Sequence, residues 1–497
     1  LAQPTWGFWA LAGVCLVPLL RGCVGRSAGV RAGLGWLAGT LASLLSGTVP
    51  VATAATAYWE VPAWQGIAIA LMLGQVFGAG SFALAAVLAG DPSRAGGVGA
   101  ALRIAAAWAG AEYVRSVALT GLPWLLLAHS LASQPALIQL AEFGGELAVS
   151  FLLAGLNAAL LLVGLRGQRR AGLVVGLASL SLFLAAATRM PRDGDPGSVR
   201  EIGSSPAAWS DSVRVLLVQG NLSNRSRRDP ARVAPALESL VELSRSDGRL
   251  DLTVWPENAL NVALPMNQPL LTAATEALSS RYLLLGTPRI ETSTRPRLYN
   301  SAVLFGPPGR LRAHRDKHRL LPFAEYWPWP LQALKLPGVM TTPGPRPQAL
   351  LAGELRLGSL ICYEILFAEI AHALVRDGAE ILVNLSNEAW FGATGAIEQH
   401  FAAAIFRAVE TRRPLLRSTN TGITAAIDAA GRVAARLPTE RAAALAVEVR
   451  PGRAKTWAVG LGGSVGIFGL AVAGWMTLRA WVVERRPARA AKRRRRG

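Results

Sequence analysis

The chain has 497 residues, 52% of them hydrophobic and only 16% charged, which is too apolar for an ordinary soluble globular protein and puts a membrane class first. Its net charge of +20 comes without a basic stripe interleaved with aromatics, and much of the excess lies in short loops and in 485–496, so topology accounts for it better than nucleic acid does. Cys15, Cys23 and Cys362 are an odd number without CxxC spacing, which excludes a disulfide framework and a thiolate metal site.

From the first residue onward, apolar runs recur that are near the roughly twenty residues a spanning helix needs. Seven are predicted: 6–20, 29–48, 64–90, 99–117, 143–165, 171–188 and 458–482. None reads as a cleavable signal, because the leading segment lacks a basic start and the runs keep returning. Arg21, Arg26 and Arg31, then Arg94 and Arg103, then Arg166, Arg169 and Arg170 mark alternate connections, and the positive-inside rule puts all three groups in the cytoplasm with the Arg-rich end. By alternation the 49–63 loop, the 118–142 loop and the whole of 189–457 lie outside. An outside start in a chain that opens without Met is odd, and the expectation is an upstream helix that completes eight spans. A seven-span chain with an exported N-terminus is the alternative. Glu112 and Arg115, inside the fourth run, are costly in lipid and are expected to pair or to reach the interface. The expected domains are 1–188 (transmembrane helices), 189–457 (exported), 458–483 (a last span) and 484–497 (a basic cytoplasmic tail).

Between Ser212 and Val449 the pattern changes to short β-rich runs at 213–219, 251–255, 282–287, 299–305, 355–361 and 380–385. Helical patterns at 231–246 and 365–377 separate some of them, so an α/β domain with strands buried on both faces is predicted. Three strand ends carry chemistry: Trp255-Pro256-Glu257; Lys317, ahead of Leu321-Pro322-Phe323-Ala324-Glu325; and Cys362-Tyr363-Glu364. A thiol attacks only as thiolate, so it needs a base and a nearby cation, and Glu257 and Lys317 fit those needs. Taken singly, Cys362 reads as a packed small hydrophobe and the other two as solvated charges; only the joint pattern points to an acyl-thioester mechanism. His314 and His318 are the only close histidine pair and lack an HExxH-type partner, so no metal and no cofactor are expected. His400 reads either as pocket support or as a core hydrogen-bonding group. The apolar stretches 259–270 and 322–340, the latter with Trp327, Trp329, Leu331, Leu334 and Leu336, read either as interfacial arms that admit acyl chains or as ordinary packing under a loop.

WPE, then KxxLxPFxE, then CYE in this order resembles the Glu-Lys-Cys signature of the carbon–nitrogen hydrolase (nitrilase-like) superfamily. The stretches 383–392 (VNLSNEAWFG), Gln399-His400, 413–424 (RPLLRSTNTGIT) and 119–124 (LTGLPW) resemble the apolipoprotein N-acyltransferase family, over nearly the whole chain. Two departures are visible: Glu388 where the family more often has Asp, and Ala324 where a Gly usually precedes the glutamate.

This resemblance implies a polytopic α-helical membrane domain plus an exported αββα sandwich facing the periplasm, in a bacterial inner membrane. It implies Glu257 as base, Lys317 as oxyanion donor and Cys362 as nucleophile, with Glu325, Tyr363 and Glu364 in support and Trp390 and Arg407 near the pocket. A phospholipid would donate its sn-1 acyl chain to the cysteine, and the amine of a diacylglyceryl-cysteine lipoprotein would take it, the enzyme acting as a monomer. A membrane-tethered amidase or nitrilase is the nearest enzymatic alternative; a transporter or scaffold whose exported domain only binds ligand is the other.

Overall fold

The computed structural model describes residues 2–203, 209, 211–223, 230–246, 248–260, 262–328 and 340–494. Up to residue 187 these residues are helical: α1 Val17–Cys23, α2 Ala28–Ser46, α3 Thr48–Trp59, α4 Ala63–Leu73, α5 Gly80–Ala89, α6 Pro92–Ala95, α7 Gly97–Val117, α8 Ala141–Val163 and α9 Arg169–Ala187. α2 starts where the Ser27 hydroxyl accepts from Val30 N–H, the usual remedy for an unpaired first turn. It then lies against α5 at backbone distance: a Cβ at Gly35 would stand 2.6 Å from the Phe82 carbonyl, and one at Gly39 2.6 Å from the Ala79 Cα.

Among the described residues four segments are long and apolar enough to cross a membrane: Ala28–Ser46, Ala63–Arg94, Ala141–Val163 and Arg169–Ala187. Their outer faces expose Leu37, Leu41 and Leu45 on α2 and Leu173, Leu177 and Leu184 on α9, a surface suited to lipid rather than water. The other three predicted runs take different forms. The 6–20 run divides into a 3-10 turn Trp9–Gly13 and the short α1, which begins at Val17-Pro18. α7 is long but carries buried Arg103, Glu112 and Arg115. The last run breaks at Gly462 (φ 56°), leaving α14 Trp457–Leu461 and the apolar first part of a longer helix from Ser464. The 49–63 loop is itself largely helix, as α3. Glu112 and Arg115 form no ion pair with each other: Glu112 accepts from Trp108 Nε1 (3.1 Å) and Leu127 N–H (2.7 Å), and Arg115 donates to the Leu125 carbonyl.

The described residues of the second half form thirteen strands. They are β1 Val199–Glu201, β2 Val213–Gln219, β3 Leu250–Val254, β4 Ser280–Glu291, β5 Arg297–Gly306, β6 Arg310–Asp316, β7 Leu350–Ala352, β8 Leu355–Ile361, β9 Ile381–Ser386, β10 Leu415–Thr419, β11 Ala425–Ile427, β12 Val433–Arg436 and β13 Ala443–Val449. One sheet runs β1-β13-β2-β3-β4-β5-β6 and the other β12-β11-β10-β9-β8-β7. β2, β3 and β4 are parallel, as are β8, β9 and β10, and β9 and β10 are buried at every residue, the reason their sequences are continuous apolar runs. Val215, Val254, Leu284, Leu357, Ile381 and Val383 interleave between the two sheets. Helices α10 Val233–Leu243 and α11 Gln268–Glu276 cover the outside of the first sheet. α12 Ala368–Arg376 and α13 Ala396–Thr411 cover the second, completing the four layers.

The outer helices of the second sheet share one continuous core with the helical half: Phe401, Ile405 and Leu374 pack in the same cluster as Ile104, Leu153 and Leu162. Charges inside this junction are matched. Arg407 on α13, fully buried, donates to Glu146 on α8 (2.6 Å) and pairs with Glu410 (2.8 Å), while Arg412 reaches Gln139 (2.7 Å) and Glu142 (2.8 Å). Removing one partner of a buried pair leaves a bare charge, a loss of ~3–5 kcal/mol. Arg407→Met is therefore expected to lower the thermal midpoint in detergent sharply, and Arg407→Met with Glu146→Gln and Glu410→Gln to recover part of it; equal midpoints for the wild type and the single variant would contradict this account.

Candidate active site

Glu257 follows β3, Lys317 follows β6 and Cys362 follows β8, so the first sheet supplies a carboxylate and an ammonium and the second a thiol. All three reach the same buried space. Lys317, 2% exposed, donates to Glu257 Oε1 (3.3 Å) and to Glu325 Oε1 (3.0 Å). Asn300 on β5 donates to both of these carboxylates, at 2.8 Å and 2.9 Å, and its carbonyl receives the Lys317 N–H. The remaining oxygens are also fixed, Glu257 Oε2 by Asn387 N–H (3.0 Å) and Glu325 Oε2 by Leu321 N–H (2.7 Å).

One ion pair sets the spacing of the two sheets here. Arg315, two residues before Lys317, donates twice to Glu364, two residues after Cys362, at 2.7 Å and 2.8 Å. The Glu364 carboxylate also collects the N–H groups of Ile361 (2.8 Å), His318 (2.8 Å) and Arg319 (3.2 Å). Burial alone would raise its pKa, but Arg315 and these donors outweigh burial and hold it below the usual carboxylate range. Cys362 itself has φ 49°, a left-handed conformation that costs roughly 1–2 kcal/mol outside glycine, and it opens a 3-10 turn that projects the thiol off the end of β8.

The electrostatics divide the charge between the partners. Burial would lower Lys317, but Glu325, Glu257 and the thiol overrule it and keep the ammonium charged well above neutral pH. Burial and then the Glu257 carboxylate push the Cys362 thiol up to about 12, against the pull of Lys317, the Ser386 hydroxyl and Asn387 N–H. The resting nucleophile is thus a neutral thiol, and its attack must be coupled to proton removal by an adjacent base. Tyr363, its phenol raised by burial, stays protonated and donates to the Gly121 carbonyl (2.9 Å).

The helical half forms one side of this site. The 119–124 stretch seats on the catalytic turn through Gly121, through Thr120, whose carbonyl accepts from Arg319 (2.9 Å), and through Trp124, which donates to Gln399 (2.7 Å). At the end of α3, Tyr58 donates to the Ala324 carbonyl (2.6 Å) and Trp59 to the Phe323 carbonyl (3.2 Å), holding the loop that carries Glu325. Trp390 meets Tyr58 edge to face with ring centroids 4.8 Å apart. Of the residues expected at the site, Glu257, Lys317, Cys362, Glu325, Tyr363 and Glu364 therefore converge and Trp390 stands at the helical side. Arg407 does not reach the thiol: it binds the carbonyls of Ile365 and Leu366 beneath the turn as well as Glu146 and Glu410.

Asn300, Arg315, Tyr58 and Trp59 were not singled out by sequence. Asn300 left one signal, a polar residue beside Ser301 at the start of the buried run of β5. The first proposed arm folds inward at Ala259, Leu260, Val262 and Leu264, in the core beside the first sheet, while Pro265, Met266 (73%) and Pro269 are exposed. Packing thus prevails there. In the second arm Trp327 approaches Phe323, with centroids 6.4 Å apart, while Trp329, Leu331, Leu334 and Leu336 lie outside the described residues. Among the described residues no group of three or more His, Cys, Asp or Glu side chains is arranged to hold a metal.

Comparison with known proteins matches residues 214–459 to the carbon-nitrogen hydrolase family and residues 1–159 to the apolipoprotein N-acyltransferase N-terminal domain. An apolipoprotein N-acyltransferase of Geobacter metallireducens is 30% identical over 92% of this chain and 88% of its own length. One from Azotobacter vinelandii is 35% identical over 71% of this chain and 67% of its own. An amidase from Nesterenkonia sp. is similar in structure over 50% of this chain and 95% of its own, at 17% identity and a TM-score of 0.39.

The thiol's surroundings fix the sign of two substitutions. Because Glu257 raises and Lys317 lowers the Cys362 pKa, Glu257→Gln should move the pH midpoint of Cys362 alkylation by iodoacetamide down and Lys317→Met should move it up. Peptide mass spectrometry across a pH series reads both; an upward move in Glu257→Gln would mean that the carboxylate does not face the thiol.

Proposed function

The chain belongs to the apolipoprotein N-acyltransferase family, and from that premise we propose that it moves a fatty acyl group from a phospholipid to the amino terminus of a diacylglyceryl-cysteine lipoprotein through a thioester on Cys362. The observation that carries this reading is the meeting of part-buried Cys362 with buried Glu257 and Lys317, at a turn hydrogen-bonded directly to the helical half through Tyr363.

In the first half-reaction Glu257 takes the thiol proton as Sγ attacks the sn-1 ester carbonyl. Lys317 faces the developing oxyanion, where one preorganised donor is worth about 3–4 kcal/mol. The C–O bond then breaks, the lysophospholipid leaves with the proton from Glu257, and the acyl group remains on sulfur. In the second half the lipoprotein amine attacks the thioester, its proton passes through Glu257, and the thiolate departs and is reprotonated. Glu325 holds Lys317 and, with Asn300, keeps the Glu257 carboxylate aimed. Such ping-pong chemistry suits a nucleophile with a lysine donor that stays charged through both halves.

We place the catalytic segment 189–457 on the periplasmic face of a bacterial inner membrane and 484–497 in the cytoplasm. The positive-inside distribution of Arg21, Arg26, Arg31, Arg166, Arg169 and Arg170 supports that orientation. The enzyme needs no cofactor in this scheme, and we propose that it acts as a monomer.

Intact mass spectrometry after exposure to phospholipid tests the scheme. An acyl mass increment is expected on the wild type, absent in Cys362→Ala, released by hydroxylamine and discharged onto an added diacylated lipopeptide. Release of free fatty acid with no transfer to the lipopeptide would instead support a membrane-tethered hydrolase.

A further inference from the structure

A cavity of about 230 Å³ lies inside the helical half, walled by α1, α2, α5 and α7. One trapped water needs about 10–15 Å³ on such a measure, so there is room for a segment of chain. Its walls change character from end to end. Gln3, Ser46, Glu112 and Arg115 line one end, and Leu19, Ala38, Ala85 and Trp108 the other. The polar end is the one nearer the catalytic half, because the Ser46 carbonyl accepts from Gln399 on α13 (2.9 Å). Along α7, Arg115 and Trp108 are seven residues apart, about 10 Å. Between α1 and α2 the lining residues Cys15 and Leu45 are exposed, Leu45 by 67%, on the surface suited to lipid.

Ionisable residues inside a helical membrane domain are costly unless something uses their charge. Glu112 and Arg115, three apart on one face of α7, are both buried. Arg115 reaches the Leu125 carbonyl only at 3.4 Å, and its Nε has no hydrogen-bond partner. Glu112 Oε2 and Gln3 Oε1 are buried without one as well. The polar end thus sets a cationic donor beside two acceptors, one of them a carboxylate. A ligand that satisfies all three carries an anion, a cationic donor close to it, and an apolar chain for the other end.

We infer that this cavity binds a zwitterionic phospholipid from the bilayer, with its phosphate on Arg115, its ammonium on Glu112 and Gln3, and one acyl chain running between α1 and α2 toward Leu19 and Ala85. Phosphoethanolamine supplies both charges, whereas a phosphoglycerol head supplies only the anion. The order of head and chain matches the order of the walls. This lipid is a bound ligand and no acyl donor, so it needs no path to Cys362. Its head lies beside Leu125 and Leu127, where it buttresses the stretch whose Gly121 carbonyl holds Tyr363. The site goes beyond the acyl-transfer reading and does not depend on it.

The test uses the full chain with Cys23→Ser and Cys362→Ala, which leaves Cys15 in the cavity wall as its one cysteine and removes any thioester. Delipidated protein in detergent is treated with N-ethylmaleimide, with and without dioleoylphosphatidylethanolamine. At a lipid concentration about ten times the dissociation constant, alkylation of Cys15 is expected to slow about tenfold, because the occupied fraction is shielded. Native mass spectrometry should show one lipid retained. Ala42→Trp, which fills the space between α1 and α2, should remove both the protection and the retained lipid, and Ala85→Leu blocks the deep end should the first variant not fold. Arg115→Gln, or dioleoylphosphatidylglycerol in place of the ethanolamine lipid, should weaken the protection. A Cys15 rate indifferent to lipid, a lipid still retained in the filled-cavity variants, or equal protection by the glycerol lipid would each overturn the inference. Failure of the wild type to form a thioester would sink the acyl-transfer reading and leave this one standing.

Discussion

The Arg315–Glu364 pair is the constraint on which the site depends. The two catalytic elements come from different sheets, and sheets packed face to face are free to slide unless something fixes their edges. Arg315 and Glu364 each stand two residues from a catalytic side chain, so their paired hydrogen bonds at 2.7 Å and 2.8 Å transmit directly to the Lys317–Cys362 spacing. The same carboxylate takes N–H groups from both sides of the junction, Ile361 on the thiol strand and His318 and Arg319 after the lysine strand. A neutral side chain could satisfy neither the guanidinium nor three donors at once. The ion pair also offsets the strain of a non-glycine residue in left-handed conformation, because Cys362 is held between two residues that Glu364 itself anchors or adjoins.

Burial has opposite meanings for the three reacting groups. It raises the thiol, which therefore rests neutral, and it would discharge the lysine were Glu257 and Glu325 not beside it. Two carboxylates around one ammonium keep the lysine cationic. Asn300, bridging both carboxylates, prevents either from rotating away when the other is protonated. A proton can thus move without the site losing its shape.

The helical half is part of the active site's construction. Tyr363, Arg319, Gln399 and the loop before Glu325 all hydrogen-bond to residues between 5 and 124. α12 and α13 bury their outer faces in the same core as α7 and α8, where a free-standing four-layer domain would turn them to water. Catalysis on a lipid ester needs the thiol at the surface of an apolar phase, and this shared core fixes its position relative to the helices. The two departures from the family pattern fit within it. Glu388 is buried with His400 and Arg417, and Gly422 leaves room for its longer side chain, since a Cβ there would overlap the carboxylate. Ala324 meets Tyr58 through its backbone carbonyl, so its methyl group does not interrupt the contact.

The sequence by itself determined what is local or compositional. Apolar runs marked the helical half, six predicted strands fall on β2, β3, β4, β5, β8 and β9, and the order Glu257, Lys317, Cys362 marked the chemistry, because strand ends and their short motifs are written in adjacent residues. Tertiary structure alone decided what depends on approach between distant segments. Asn300, Arg315, Tyr58 and Trp59 acquire roles only by meeting Glu257, Glu364, Ala324 and Phe323, partners 43, 49, 266 and 264 positions away in the chain. Arg407, expected near the pocket, instead neutralises Glu146 and Glu410, since helix α8 brings its glutamate there and a buried guanidinium binds the nearest buried carboxylates. His400, read from sequence more as a core hydrogen-bonding group than as pocket support, is buried against Glu388, Arg417 and Trp124: a sequence names a side chain's chemistry, while only folding decides which partners it meets.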